Sequence, residues 1–277
     1  MSLKSVVQLL FLGAITLQQA TATKWVQIWN DEFDGSQIDT SKWGHDQGNW
    51  GWGNNELENY TDRPENSYVQ DGNLVIQANQ ENLGGSQYTS ARMTTQGKFS
   101  TLYGKVEARA KLPHGQGIWA AFWLLGEKYE WPMNGSIDIM EFIGKDPENT
   151  YGKLQGPNFN SNATYHLDGG FHSDFHVYGV EWQPEQLDFY VDGNIFHTVH
   201  KSEQKDFWPF SDHKFFIILD LAVGGDWPGV PDQTTHFPQK FVIDYVRVYQ
   251  ADNSSNSQVK SDSHHHHHEK NNEQFLN

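Results

Sequence analysis

An all-β sandwich or barrel is the fold class this sequence predicts, on three observations. Short segments rich in β-branched and aromatic residues recur along the chain: Asn73 to Gln77, Gly104 to Ala110, Phe175 to Trp182, Leu187 to Val191 and Lys240 to Tyr249. Turn signals separate them, notably Asp71-Gly72-Asn73 and Asp192-Gly193-Asn194, where short polar residues and glycine supply the positive φ of a tight hairpin. No long helical periodicity interrupts the pattern. A chain of 277 residues can bury a large core and still form a single all-β domain, and no internal repeat marks a second one.

The two ends read differently from the middle. Residues 1–22 have the form of a secretory signal: Lys4, the mostly apolar run Val6 to Leu17, and the small-residue site Ala20-Thr21-Ala22. A buried helix or membrane anchor is the competing reading, but the run falls short of the roughly 18 to 20 residues a spanning helix needs. The expected protein is therefore secreted and extracellular, with a folded domain over 23–250. Composition changes sharply after Gln250, and 251–277 is expected to be a disordered, low-complexity tail. Its run His264 to His268 could bind a transition metal, although an isolated His run has no surrounding groups to orient it.

Composition narrows the chemistry. With no cysteine there are no disulfides and no thiol catalysis. A net charge of −16 argues against nucleic acid and anionic membranes as partners, since both require clustered Lys and Arg, and leaves neutral polysaccharide compatible. An aromatic content of 14% suits either a sandwich core or a sugar cleft.

The most informative segment runs from Trp131 to Phe142. Read as a strand, it puts Ser136 and Asp138 on one face and Ile137 and Ile139 on the other, with Glu141 out of phase. A β-bulge after Asp138 would return Glu141 to the face of Ser136 and Asp138, and bulges are favoured beside active sites. The alternative is an amphipathic edge strand with its polar face in water.

The run Ser136-Ile137-Asp138-Ile139-Met140-Glu141 resembles the family 16 glycoside hydrolase signature Glu-Ile-Asp-Ile-Met-Glu with its first residue changed. Further blocks are similar to that family in order: Trp29 to Asp34, Trp52 to Leu57, Tyr88 to Arg92, Tyr103 to Arg109, Gly117 to Trp123, Leu219 to Gly225 and Val242 to Tyr249. The resemblance covers most of the mature chain and points to the endo-β-1,3-glucanase (laminarinase) and mixed-linkage glucanase branches. It implies a concanavalin A-like jelly-roll sandwich with a cleft across its concave sheet, acting on β-1,3-glucan or mixed-linkage β-glucan as a monomer. Glu141 then matches the acid/base, Asp138 the assisting carboxylate, and Ser136 stands where the nucleophile is expected.

A retaining glycosidase needs two carboxyl groups about 5 to 5.5 Å apart. A serine hydroxyl without a base is too poorly ionised to replace one, so hydrolysis is expected to be strongly reduced and Glu141, lacking a neighbouring charge, to be more ionised. Three accounts of Ser136 compete: a deliberate replacement, a natural loss of hydrolysis with retained glucan binding, and residual hydrolysis by a water in the vacated space. Gln155 stands where the family usually has His, a departure in favour of the second. Trp119 and Trp123 match cleft aromatics that stack on sugar rings, and Arg92, Asn54 and Glu56 match hydrogen-bonding positions. Each could instead be core, loop or strand. Trp227-Pro228-Gly229 resembles a loop at the cleft rim, or is a simple turn.

No cofactor is expected for catalysis. A structural calcium ion is implied by the resemblance, with Asp244 supplying a side chain and Glu32 and Gly72 matching backbone ligand positions; otherwise Asp244 is a sheet-edge residue in a hydrogen bond. Glycosylation sequons begin at Asn59, Asn134, Asn162 and Asn253, the second completed by Ser136 itself, and a glycan on Asn134 would crowd the cleft.

Overall fold

The computed structural model describes residues 22–253. The expected leader, apart from Ala22, and the tail beyond Asn253, including its His run, lie outside the described residues. Among the described residues seventeen strands follow one another, with two 3₁₀ turns before the sixteenth. They are β1 (Trp25–Asp31), β2 (Gly44–Asp46), β3 (Glu58–Tyr60), β4 (Ser67–Gln70), β5 (Asn73–Leu83) and β6 (Ser86–Ser90). Next come β7 (Arg92–Thr94), β8 (Gly104–Lys111), β9 (Ile118–Gly126), β10 (Ser136–Ile143), β11 (Asn149–Gly156) and β12 (Phe159–His166). The last are β13 (His176–Trp182), β14 (Gln186–Val191), β15 (Asn194–His200), β16 (Phe215–Val223) and β17 (Gln239–Ala251). Ala251, expected to open the tail, instead ends β17 by pairing with Trp25 of β1.

Two sheets form a sandwich. One runs β15-β14-β13-β8-β17-β5-β6-β3, with β1 beside β17 and β4 beside β5; the other runs β12-β11-β10-β9-β16-β7-β2. The Asp-Gly signals make two-residue hairpins. Gln70 pairs with Asn73 and Val191 with Asn194, while Asp71, Gly72, Asp192 and Gly193 all have positive φ, as a type I′ turn requires. Among the described residues, no helix is long and apolar enough to cross a membrane.

Alternation sorts the side chains into core and pocket. In β8 every second residue is buried, so Val106, Ala108 and Ala110 enter the core. Strands β10 and β16 are buried on both faces. Ile137, Ile139, Phe142, Leu219 and Leu221 face the core, and the opposite face carries the polar groups described below. At one end of the core Phe215 packs edge-on to Trp182 and close to Phe210, and Trp182 donates its indole N–H to the Phe210 carbonyl at 3.0 Å.

The register also explains a gap in the ladder of β17. On one edge β5 pairs with Gln239 to Ile243, and β1 pairs with Val246 to Ala251. Asp244 and Tyr245 lie between these partners, and Asp244 is bulged out of register with β8. Glu32 follows the end of β1 and Gly72 precedes β5, so the end of one strand and the start of the other arrive at that gap.

Truncating Phe215 to alanine removes a fully buried ring from this junction. The expected loss is about 3 to 5 kcal/mol, read as a lower denaturant midpoint with an unchanged slope.

Candidate active site

The strand register breaks after Asp138 on both sides of β10. Asp138 pairs with Trp123 and Met140 with Phe122, while on the β11 side the shift falls between Asp138 and Glu141. This bulge brings Ser136, Asp138 and Glu141 to one face, where all three line a pocket of about 600 Å³. Trp119, Ala121, Trp123 and Leu125 of β9 contribute alternate residues to the same wall. Every catalytic and sugar-binding position predicted from the sequence lies on this pocket: Ser136, Asp138, Glu141, Trp119, Trp123, Arg92, Asn54 and Glu56.

Ser136 is 2% exposed, and its hydroxyl has no hydrogen-bond partner of acceptable geometry, although it stands beside Asp138. Asp138 accepts a 2.6 Å hydrogen bond from the Gln155 amide, the group that replaces the expected His. Burial, then repulsion from Glu141, pushes the Asp138 carboxyl up to about 8. Glu141 accepts the Trp119 indole N–H at 3.0 Å and forms a 3.2 Å salt bridge with Lys153. The Lys153 ammonium also lies 3.8 Å from the Trp227 ring centroid, and Trp227 meets Trp119 and Tyr151 edge-on. The Trp227 loop therefore packs over the Glu141 end of the site.

At the other end, Trp123 donates its N–H to Asp220 at 2.8 Å, which fixes the ring against the pocket wall. Arg92 is a brace: its guanidinium lies near the Trp52 and Trp123 rings, 4.8 and 5.2 Å from their centroids, and pairs with Asp46 at 3.1 Å. Asn54 donates to Glu56 at 2.7 Å. Burial and then Asp220 push Glu56 up to about 7.

Several residues at the site escaped the sequence reading. Trp50 and Trp131 line the pocket while 66% and 53% exposed, so they offer apolar faces at its rim. Asp220 and Lys153 carried a signal only as polar residues in otherwise strand-like runs. Asn134 lines the pocket and is 7% exposed, with its amide oxygen unpaired. Of the residues implied for calcium, Asp244 accepts from Arg109 at 2.8 Å, and Glu32 is ion-paired with Arg247.

The buried acids have a consequence for stability. A carboxyl whose folded-state pKa is raised binds its proton more tightly when folded, so its contribution is present below its unfolded pKa and is lost as pH rises through the folded value. For Asp138 that window runs from the ordinary aspartate range to about 8. The unfolding temperature is expected to fall across this window, and less steeply in Asp138→Asn; an identical slope in the two proteins would rule out Asp138 as a source.

Comparison with known proteins places this geometry. The family model for glycosyl hydrolases family 16 matches residues 54–247. A β-glucanase of Rhodothermus marinus is 40% identical over 83% of this chain and 86% of its own length. A β-1,3-glucan-binding protein of Penaeus monodon is 29% identical over 74% of this chain and 76% of its own. The laminarinase catalytic domain of Thermotoga maritima superposes with a TM-score of 0.79 at 46% identity, over 83% of this chain and 99% of that one. The two-sheet sandwich, the bulged strand carrying Asp138 and Glu141, and these matches lead to one conclusion: the chain belongs to glycosyl hydrolases family 16.

Proposed function

We propose that this protein binds β-1,3-glucan or mixed-linkage β-glucan in the pocket of an endo-β-1,3(4)-glucanase scaffold and hydrolyses it at a strongly reduced rate, because Ser136 occupies the nucleophile's position. One observation carries the reading: on the polar face of β10, Ser136 presents a buried hydroxyl with no base aligned to it. Retaining hydrolysis needs a carboxylate to attack the anomeric carbon while an acid protonates the leaving oxygen. Asp138 keeps its proton near neutral pH, and among the described residues no His lines the pocket, so nothing there withdraws the Ser136 proton. Glu141 takes the acid/base role, with Trp119 orienting its carboxyl and Lys153 paired to it.

Sugar binding does not depend on the missing carboxylate. Trp50, Trp119, Trp123 and Trp131 offer apolar faces for pyranose rings, and Asn54 and Glu56 offer polar groups for hydroxyls. The names of the relatives support both halves of the reading, since one is a β-glucanase and another a β-1,3-glucan-binding protein. The leader-like residues 1–22 support an extracellular place of action.

Laminarin hydrolysis by the protein and by Ser136→Glu, measured side by side as released reducing ends, tests the proposal. The variant is expected to be faster by on the order of a thousand-fold. If neither cuts but both retain laminarin, the non-catalytic glucan-binding reading replaces the enzymatic one. Equal rates in the two would remove Ser136 as the cause of any loss.

The gap beside β17 fits a calcium site of the kind the family resemblance implies. Backbone carbonyls of Glu32 and Gly72 and the Asp244 carboxylate, whose pairing with Arg109 an ion would have to replace or share, are hard oxygen donors suited to calcium, and the end of β1 and the start of β5 meet where the ladder is interrupted. An ion bound there would tie β1 and β5 to β17 and take no part in glycoside chemistry. Calcium at about a hundred times its dissociation constant is expected to stabilise chelator-treated protein by about 2.7 kcal/mol. Asp244→Asn should blunt that response, and a protein indifferent to calcium would refute the assignment.

A further inference from the structure

Beneath the Asn54 end of the pocket lies a buried acid, Glu58, with no role in the chemistry above. Glu58, of β3, is 0% exposed, and one of its oxygens accepts the Val223 backbone N–H at 3.0 Å. The Val223 carbonyl accepts from Leu57 at 2.8 Å, so the Glu58 side chain and the Leu57 backbone together complete the hydrogen bonding at the end of β16. The other Glu58 oxygen is buried and meets no N–H or O–H donor. The Glu58 and Glu56 carboxyl groups face one another within hydrogen-bond reach.

Two carboxylates cannot hydrogen-bond to one another; a carboxylic acid and a carboxylate can. The surroundings favour retention of a proton. Asp220 and Tyr60 also face the pair, and the single Tyr60 hydroxyl proton lies between an Asp220 oxygen at 3.1 Å and a Glu56 oxygen at 3.3 Å. Arg92 is the cation acting on Glu56, and it is already paired with Asp46. Three buried carboxyls therefore share one nearby cation. Of the three, Glu58 is the one with an oxygen lacking any donor, and burial followed by the Glu56 charge raises its pKa well above the ordinary range. Glu56 accepts from Asn54 and Asp220 from Trp123, and the one Tyr60 proton serves either of them, so each has a donor where the second Glu58 oxygen has none.

We propose that Glu58 is a positioning residue: its buried carboxyl keeps its proton, donates it to Glu56, and so holds Glu56 as the hydrogen-bond acceptor for a glucan hydroxyl at the Trp52 end of the pocket. The proposal rests on the glucan-binding reading for its ligand, but the shared proton is a property of the free protein. Glutamine at position 58 would reproduce the acid, since its carbonyl accepts from Val223 and its amide donates to Glu56, with no proton to lose.

The test compares the protein with Glu58→Gln by infrared spectroscopy of the carboxyl C=O stretch and by calorimetric titration with laminarihexaose, both as functions of pH. Near pH 6 the protein is expected to show more protonated-carboxyl absorbance than Glu58→Gln, in which Asp138 still contributes, with hexaose affinities equal within about two-fold. At the alkaline pH where that excess disappears, the protein's affinity should fall at least about five-fold behind the variant. Asp138 titrates in both proteins, so its effect cancels in the ratio. The absence of a band difference overturns the proposal, as does an affinity in Glu58→Gln more than about five-fold weaker near pH 6, or a parallel decline of the two. If the hexaose binds to neither protein, the glucan reading fails and the positioning role fails with it, while the infrared comparison still decides where the proton resides.

Discussion

A carboxyl group taken out of water must find donors, find a cation or keep its proton, and this constraint shapes the whole polar face of the seven-stranded sheet. The β-bulge after Asp138 is where it begins. Without the extra residue Glu141 would point into a core of Ile137, Ile139 and Phe142, where nothing could pair with it. With it, Glu141 meets Trp119 and Lys153, and Asp138 meets Gln155. Lys153 and Gln155 alternate on β11 directly across from β10, so the spacing of one strand supplies the partners that the bulge in its neighbour demands.

The same constraint distinguishes the two ends of the pocket. At the β10 end a cation is present, Lys153, which pairs with Glu141 while Trp227 packs over it. At the Asn54 end the charge of Arg92 is shared with Asp46, and Glu56, Glu58 and Asp220 are served mainly by neutral donors. Burial raises the pKa values of Glu56, Glu58 and Asp220 first, as it does that of Asp138 at the other end, and the donors within reach offset only part of that rise.

The fold is legible in the sequence because its determinants are local. Asp71-Gly72 and Asp192-Gly193 set type I′ turns by backbone conformation alone, and the phase slip between Asp138 and Glu141 discloses the bulge from residue spacing. The pocket positions are legible through family resemblance, which names the residues but not their contacts. Arg92 was expected to meet sugar hydroxyls; it lines the pocket, and its guanidinium also meets Trp52, Trp123 and Asp46. Those partners come from separate segments, and nothing in the local sequence around Arg92 announces them.

Glu58 shows why the remainder is hidden. In Glu56-Leu57-Glu58 the usual pattern is inverted: both acids are buried and the leucine is 40% exposed. Read by hydropathy, the segment would turn Leu57 inward and the acids to water. The structure reverses it because the end of β16 offers a backbone N–H, at Val223, that needs an acceptor. Gly224, with a left-handed φ of 76°, also leaves room for the Leu57 side chain, where a Cβ would come within 2.6 Å of it. The orientation of three residues is thus decided by an unpaired backbone donor and a missing methyl group, the donor lying 165 residues away in the chain. A hydrophobic scale cannot register either one, since both are properties of the backbone of another strand. Buried acids of this kind are found by asking which main-chain donors at a strand end lack a partner, a question that only the assembled sheet can pose.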